Sequence, residues 1–184
     1  MIDYQVVGDK PILTVLEALA KYSTGKEALQ TAGNAIVEEI RLGFHDGQDP
    51  WEQPWKPLSP NSRAGQPLRD TGALANSITT AEPTDTSIKI GTALCYGIVH
   101  QYGAKVVAGK PTGNIICGYV PKGAKRLRWS AGGSVHYAKS VTIPPRPFMP
   151  IKGGAVDVPV QWAGSIIESM KAEIEAAKAH GGAL

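Results

Sequence analysis

The sequence predicts an α+β fold in which N-terminal helices and a C-terminal helix pack on a small antiparallel sheet. Three patterns lead there. Apolar residues at helical spacing occupy both ends of the chain. Polar–apolar alternation, the mark of a strand, is confined to the middle. The 184 residues include 21 Gly and 14 Pro, nearly a fifth of the chain where about 12% is usual, so the connections are expected to be long and turn-rich. The length suits a single domain spanning 1–184.

Each element has its own justification. Residues 11–22 open with Pro11, which fits a first helical turn. Ile12, Val15, Leu16 and Leu19 then follow one apolar face. Thr24-Gly25-Lys26-Glu27 has the form of a capping box and opens a second helix over roughly 25–44. Leu29, Ala32, Ala35, Ile36, Ile40 and Phe44 are its expected buried stripe, with Glu38 and Glu39 facing water. Residues 45–67 hold Pro50, Pro54, Pro57, Pro60 and Pro67, too many prolines for regular structure. Trp51 and Trp55 in that loop either pin it to the body of the fold or form a docking surface.

Residues 70–79 suggest a short helix capped by Asp70 or Thr71. Alternation over 86–92 reads as a strand. Residues 96–102 suit one or two helical turns ended by Gly103. Segments 125–129 and 134–138 flank Ser130-Ala131-Gly132-Gly133 as a β-hairpin. A last strand covers 140–143, and Asp157 with Pro159 marks the start of the C-terminal helix. Its face is Ala163, Ile166, Ile167, Met170, Ile174 and Ala177.

Charge is uneven along the chain. The net charge is +3. Residues 1–85 carry 12 acids and 7 bases, and residues 157–184 carry 4 acids and 2 bases. Residues 86–156 carry 10 bases and no acid. Such a middle calls for an anionic partner: nucleic-acid phosphate, an acidic protein face, or the acidic ends of a neighbouring copy. Lys122, Lys125, Arg126, Arg128, Trp129 and Lys139 mix cations with an aromatic on the hairpin, a composition also suited to tracking a nucleic-acid backbone.

Several chemistries are not supported. No apolar run approaches the roughly 18 residues of a membrane span. The start, Met1-Ile2-Asp3-Tyr4-Gln5, lacks the basic-then-apolar order of a secretory signal. Cys95 and Cys117 are too few for a disulfide framework, and reduced thiols in a bacterial-type cytoplasm are expected. Their spacing with His45, His100, His136 and His180 matches no common zinc pattern. Cys95 with His100 or His136 as base has no supporting motif. No cofactor is expected. His100 and Gln101 lie among Tyr96, Ile98, Val99 and Tyr102, where a half-buried polar pair would satisfy loop backbone groups.

Four blocks then occur in one order. They are Asp49-Pro50 through Trp55-Lys56-Pro57-Leu58; Leu68-Arg69-Asp70-Thr71-Gly72-Ala73-Leu74-Ala75-Asn76-Ser77-Ile78; Ile90-Gly91-Thr92 through Tyr96-Gly97-Ile98-Val99-His100-Gln101-Tyr102-Gly103; and Ile143-Pro144-Pro145-Arg146-Pro147-Phe148-Met149. Together they resemble the virion-morphogenesis, or tail-completion, family of Mu-like and P2-like tailed bacteriophages, over roughly 25–104 and 141–175. The chain departs from the family pattern in two places. Trp51 directly follows Asp49-Pro50, and about 104–140 is an insertion that holds the basic hairpin.

The resemblance implies a small non-enzymatic virion component that completes or terminates the tail and joins it to the head. It implies a ring, commonly hexameric, at the neck, assembled in the bacterial host cytoplasm. Its implied partners are copies of itself, the tail tube or sheath protein and head–tail connector proteins, with no membrane. The alternatives are a transient assembly factor, or a basic protein touching genome DNA at its passage. Interface candidates are Trp51, Trp55, Pro57, Leu58, Tyr96, His100, Gln101, Tyr102, Arg146, Pro147 and Phe148. Arg146-Pro147-Phe148 combines a bidentate cation, a rigid turn and an aromatic anchor. The other reading of this turn is that Phe148 fills the core and Arg146 caps a local carboxylate.

Overall fold

A computed structural model describes residues 25–59, 64–109, 125–131 and 133–179. The helix expected over 11–22 and the capping residue Thr24 lie outside the described residues. The elements run α1 (Gly25–Asp46), α2 (Ala73–Asn76), β1 (Ile78–Thr80), β2 (Ile90–Thr92), α3 (Gly97–Tyr102) and β3 (Ala104–Val107). There follow β4 (Leu127–Ala131), β5 (Ser134–Ala138), β6 (Ser140–Ile143), β7 (Ile151–Lys152), β8 (Ala155–Val156), a 3₁₀ turn (Val160–Trp162) and α4 (Ala163–Ala179). The fold is α+β. Among the described residues the strands form four two-stranded sheets, β1–β2, β3–β6, β4–β5 and β7–β8, not one continuous sheet.

The chain divides into two compact units. The described part of the first comprises 25–42, Ile78–Gly91 and 150–179. Within it α1 buries Ala28, Ala35, Val37 and Ile40, while Leu29, Ala32 and Ile36 are only half-buried. The expected Ala35 and Ile40 are thus buried, and Ala28 and Val37 take the place of Leu29, Ala32 and Ile36. The helix faces β1, and Gln30 Nε2 donates to Thr80 Oγ1 at 2.8 Å. Arg41 Nη2 donates to the Ile78 carbonyl at 3.3 Å. Gly33 is the point of closest approach: a Cβ there would lie 2.5 Å from Ile88 Cδ1 and 3.0 Å from Thr80 Cγ2. Gly at mid-helix costs roughly 1 kcal/mol against Ala; here the missing side chain is what lets the helix lie against the strand pair.

In the same unit Gly153 and Gly154, at φ +61° and +85°, close the two-residue β7–β8 hairpin with Ile151 opposite Val156. Two positive φ values are what such a turn requires. On α4 the buried positions are Ile166 and Met170, and Trp162 in the preceding turn continues the row. These residues are four apart and share one helical face. Ser165 Oγ hydrogen-bonds the Glu39 carboxylate, tying α4 to α1.

The second unit comprises described residues within Gly43–Ser77 and Thr92–Met149. The helix expected over 70–79 is one turn, with Gly72 at its N-cap in place of Asp70 or Thr71. Thr71 Oγ1 still accepts from the Ala73 N–H at 3.3 Å. Ser77 ends the turn by donating its hydroxyl to the Leu74 carbonyl at 2.7 Å, and the β-branched Ile78-Thr79-Thr80 continues as β1. The strand expected over 86–92 is confined to Ile90–Thr92. Thr84 and Ser87 close a turn first, with Thr84 N–H on the Ser87 carbonyl at 2.9 Å.

Strand β3, which has no alternating pattern of its own, pairs antiparallel with β6 from Ala104↔Ile143 to Val107↔Ser140. Strands β4 and β5 pair from Leu127↔Ala138 to Ala131↔Ser134. Cys95 is exposed and disulfide-bonded, which overturns the expectation of reduced thiols. Cys117, the chain's other cysteine, lies outside the described residues.

Gly33→Val is expected to destabilise the first unit by about 1–3 kcal/mol, the usual cost of overpacking a close contact. The check is the thermal midpoint of the full chain, compared with a Val substitution at exposed Leu42, which lies in the same helix.

Candidate functional site

The sequence-predicted residues converge in the second unit, around the segment 144–149. The loop after α1 comes first. Asp49 Oδ1 accepts the backbone N–H groups of Trp51 and Gln53, each at 2.9 Å, and Trp55 N–H returns to the Gly47 carbonyl at 2.9 Å. An Asp side chain replacing backbone partners in this way sets a tight turn. The turn delivers Trp55 into the interior.

Trp55 and Phe148 are buried together with Phe44. Phe44 lies 5.2 Å from Trp55, edge to face, and 5.4 Å from Phe148, tilted. Such pairs add about 0.5–1.5 kcal/mol beyond the area they bury. The indole N–H of Trp55 donates to the Pro147 carbonyl at 2.7 Å, so the ring is both packed and hydrogen-bonded. A Cβ on Gly97 would stand 2.9 Å from Thr92 Cγ2 and 3.6 Å from both Leu74 Cδ1 and Phe148 Cζ. The start of α3 therefore packs closely over the aromatic group.

Gln101 is buried on α3. Its Oε1 accepts the N–H groups of Phe148 and Met149, both at 3.0 Å, and its Nε2 donates to the Met149 carbonyl at 3.2 Å. One carboxamide thus acts as a strand partner for a segment that has none, which is the expected use of a half-buried polar side chain beside a loop.

Arg146 is also buried. Its Nε donates to the Lys56 carbonyl at 2.8 Å and its Nη2 to the Pro57 carbonyl at 3.0 Å. Of the two readings of this turn, the core role of Phe148 holds, but two loop carbonyls stand where a carboxylate cap was the alternative. The fixed fork of a guanidinium fits two successive carbonyls, which a lysine does not. Its own N–H donates to the His100 carbonyl at 2.7 Å.

Gly103 then turns the chain from α3 into β3 at φ +73°, ψ +166°, a region essentially open only to glycine. A Cβ there would lie 2.9 Å from the Ile143 carbonyl oxygen and from Pro145 N. Both the backbone angle and the space demand Gly.

His100 is half-buried, with Tyr96 edge-on at 6.0 Å. Its Nδ1 is buried without a hydrogen-bond partner. Burial first, and the Arg146 charge second, hold its pKa below the ordinary imidazole value. Burial also lowers the pKa of Arg146.

The site residues therefore fall into two sets. Trp55, Gln101, Arg146 and Phe148 spend their polar and aromatic groups within the chain. Trp51, Leu58, Tyr96, His100 and Pro147 are half-buried, and Pro57 and Tyr102 are exposed. On the hairpin Lys125, Arg126, Arg128 and Lys139 are exposed, Trp129 is half-buried, and Lys122 lies outside the described residues. Sequence reasoning missed the partners: Phe44 between the two other rings, and the Lys56 and Pro57 carbonyls under Arg146. Phe44 lies 104 positions from Phe148, and Lys56 and Pro57 lie 90 and 89 from Arg146, beyond any local signal.

Among the described residues no group of three or more His, Cys, Asp or Glu side chains is placed to hold a metal, and no described helix is long and apolar enough to cross a membrane. The arrangement is a hydrogen-bonded clamp around the segment 144–149.

Gln101→Leu would strand two backbone donors and one acceptor. With about 1–3 kcal/mol for each buried unpaired group, a loss of about 3 kcal/mol is expected, read as a thermal midpoint lowered by roughly 10 °C. For His100 the sign follows from its depressed pKa. The unfolded chain binds a proton first, near pH 6.5, so stability falls as pH drops below that value and levels off below the folded-state pKa. His100→Phe is expected to flatten the loss of thermal stability between pH 7 and 5, measured by denaturation at each pH against the unsubstituted chain.

A family model described as the phage virion morphogenesis family matches residues 7–159. No curated protein matches the chain significantly, and no solved structure does.

Proposed function

The chain belongs to the phage virion morphogenesis family, and from that premise we propose that it completes or terminates the tail and joins it to the head as a closed ring, hexameric by expectation, at the neck. Family membership itself establishes the coarser statement, a role in building the phage virion. The match across residues 7–159 is the observation that carries the reading.

Two features of the chain support the finer part. A ring is built from heterologous contacts, in which one face of a subunit meets a different face of the next. A basic middle flanked by acidic ends supplies two such faces. In addition, Ile98 and Tyr102 stand four apart on α3 and are 42% and 51% exposed, an apolar ridge on the outer side of the helix whose inner side holds Gln101. An aromatic on a rigid helix is a suitable subunit anchor. The clamp beneath it serves the same end: a contact surface is only as well placed as the residues that support it.

The implied partners are further copies of this chain, the tail tube or sheath protein and the head–tail connector. The protein acts as a structural part and not as an enzyme.

Quantitative mass spectrometry of purified virions tests this reading. About six copies per particle are expected, the number for one hexameric ring. Absence from mature particles would replace it with the role of a transient assembly factor. A second expectation is that Tyr102→Asp leaves the isolated chain folded, because the ring is exposed, yet yields unjoined heads and tails by electron microscopy.

A further inference from the structure

The β4–β5 hairpin has two unlike faces. Trp129 and His136 are opposite one another and stack at 5.5 Å with 22° between their planes. Both are half-buried. The other face carries Arg128 opposite Tyr137, both exposed, and Tyr137 is 58% exposed. Arg126 and Lys139 are exposed at the bends that flank the two strands, two positions from Arg128 and Tyr137 respectively. Lys125 adds an exposed charge at the base of the ribbon.

These four cations are gathered at one ribbon and share a property. Lys26, Arg41 and Lys171 each have a carboxylate partner. Among the described residues, Lys125, Arg126, Arg128 and Lys139 have none. The sequence leaves little scope for one nearby, since no acid occurs between residues 86 and 156.

We propose that this hairpin face binds the phosphate backbone of double-stranded DNA, without sequence preference, through Lys125, Arg126, Arg128, Lys139 and the hydroxyl of Tyr137. A two-stranded ribbon is narrow enough to follow a DNA groove, and Arg, Lys and Tyr are ordinary phosphate contacts. The favoured partner is a uniform polyanion because the face is uniformly cationic. An acidic protein face is the competing partner, and the displacement arm of the test separates the two. The inference goes beyond the assembly role and does not rest on it, because it is read on the isolated chain.

The test is fluorescence anisotropy of a labelled 30-base-pair duplex titrated with the full chain. Four phosphate contacts give a slope of about −3.6 in log affinity against log salt. Affinity is therefore expected to fall about 100-fold between 50 and 200 mM NaCl. The variant Lys125→Gln, Arg126→Gln, Arg128→Gln, Lys139→Gln should lose binding at 50 mM while keeping its thermal midpoint. If it fails to fold, the pair Arg126→Gln, Arg128→Gln should reduce the slope by about 2. No binding at 20 mM salt would overturn the proposal, as would unchanged binding by a folded variant. Displacement by polyglutamate as effective as by unlabelled duplex, at equal charge, would assign the face to an acidic protein partner instead.

Discussion

The second unit depends on the fact that the segment 144–149 has backbone groups to satisfy and no strand to satisfy them. The carboxamide of Gln101 fills that gap, taking the N–H groups of Phe148 and Met149 and returning a proton to the Met149 carbonyl. Buried amides without partners are rarely tolerated, so everything that brings 144–149 inside relies on this side chain. Phe148 reaches Phe44 only because its backbone is held here. Trp55 finds an acceptor on Pro147 only because the adjoining peptide is fixed.

Arg146 extends the same logic to the loop after α1. A proline-rich loop has fewer N–H donors of its own, and its carbonyls need partners from elsewhere. The guanidinium supplies two donors to the successive carbonyls of Lys56 and Pro57. Loop, helix α3 and the 144–149 segment are thus cross-linked by one amide, one guanidinium and one indole. Gly103 completes the frame, since only a residue without Cβ lets α3 pass into β3 beside Ile143 and Pro145. The buried part of the Tyr96–Gly103 and Ile143–Met149 blocks is therefore scaffold. What the blocks present outward is Ile98 and Tyr102, the ridge on which the proposed subunit contact depends.

Charge is sorted differently from packing. Among the described residues, Arg146 is a buried cation of the basic middle, used inside the fold. The hairpin cations stay at the surface, and the stacked Trp129 and His136 brace the opposite face of their ribbon. A virion part has two tasks, to hold a shape and to meet its neighbours. In this chain the first is carried by hydrogen bonds to neutral backbone, and the second is proposed to fall to exposed aromatic and cationic side chains.

The sequence by itself determined the elements whose signals are local. Helix α1 follows from apolar spacing along 25–44, the β4–β5 turn from Gly-rich residues between two alternating runs, β6 from 140–143, and the end of α3 from Gly103. The role of Gln101 in satisfying loop backbone groups was also legible, although its side chain is buried and the Nδ1 of its neighbour His100 has no hydrogen-bond partner. Only the tertiary structure decided the rest. Strand β3 exists because β6 lies opposite it, with 32 residues between the two strands. The meaning of Gly33 in α1 appears only when Ile88 and Thr80 are seen against it. Arg146, read as either an interface cation or the cap of a local carboxylate, meets two carbonyls about 90 positions away. Periodicity reports which face of an element is apolar; it does not report which distant backbone group that face will meet, and the clamp is made almost entirely of such meetings.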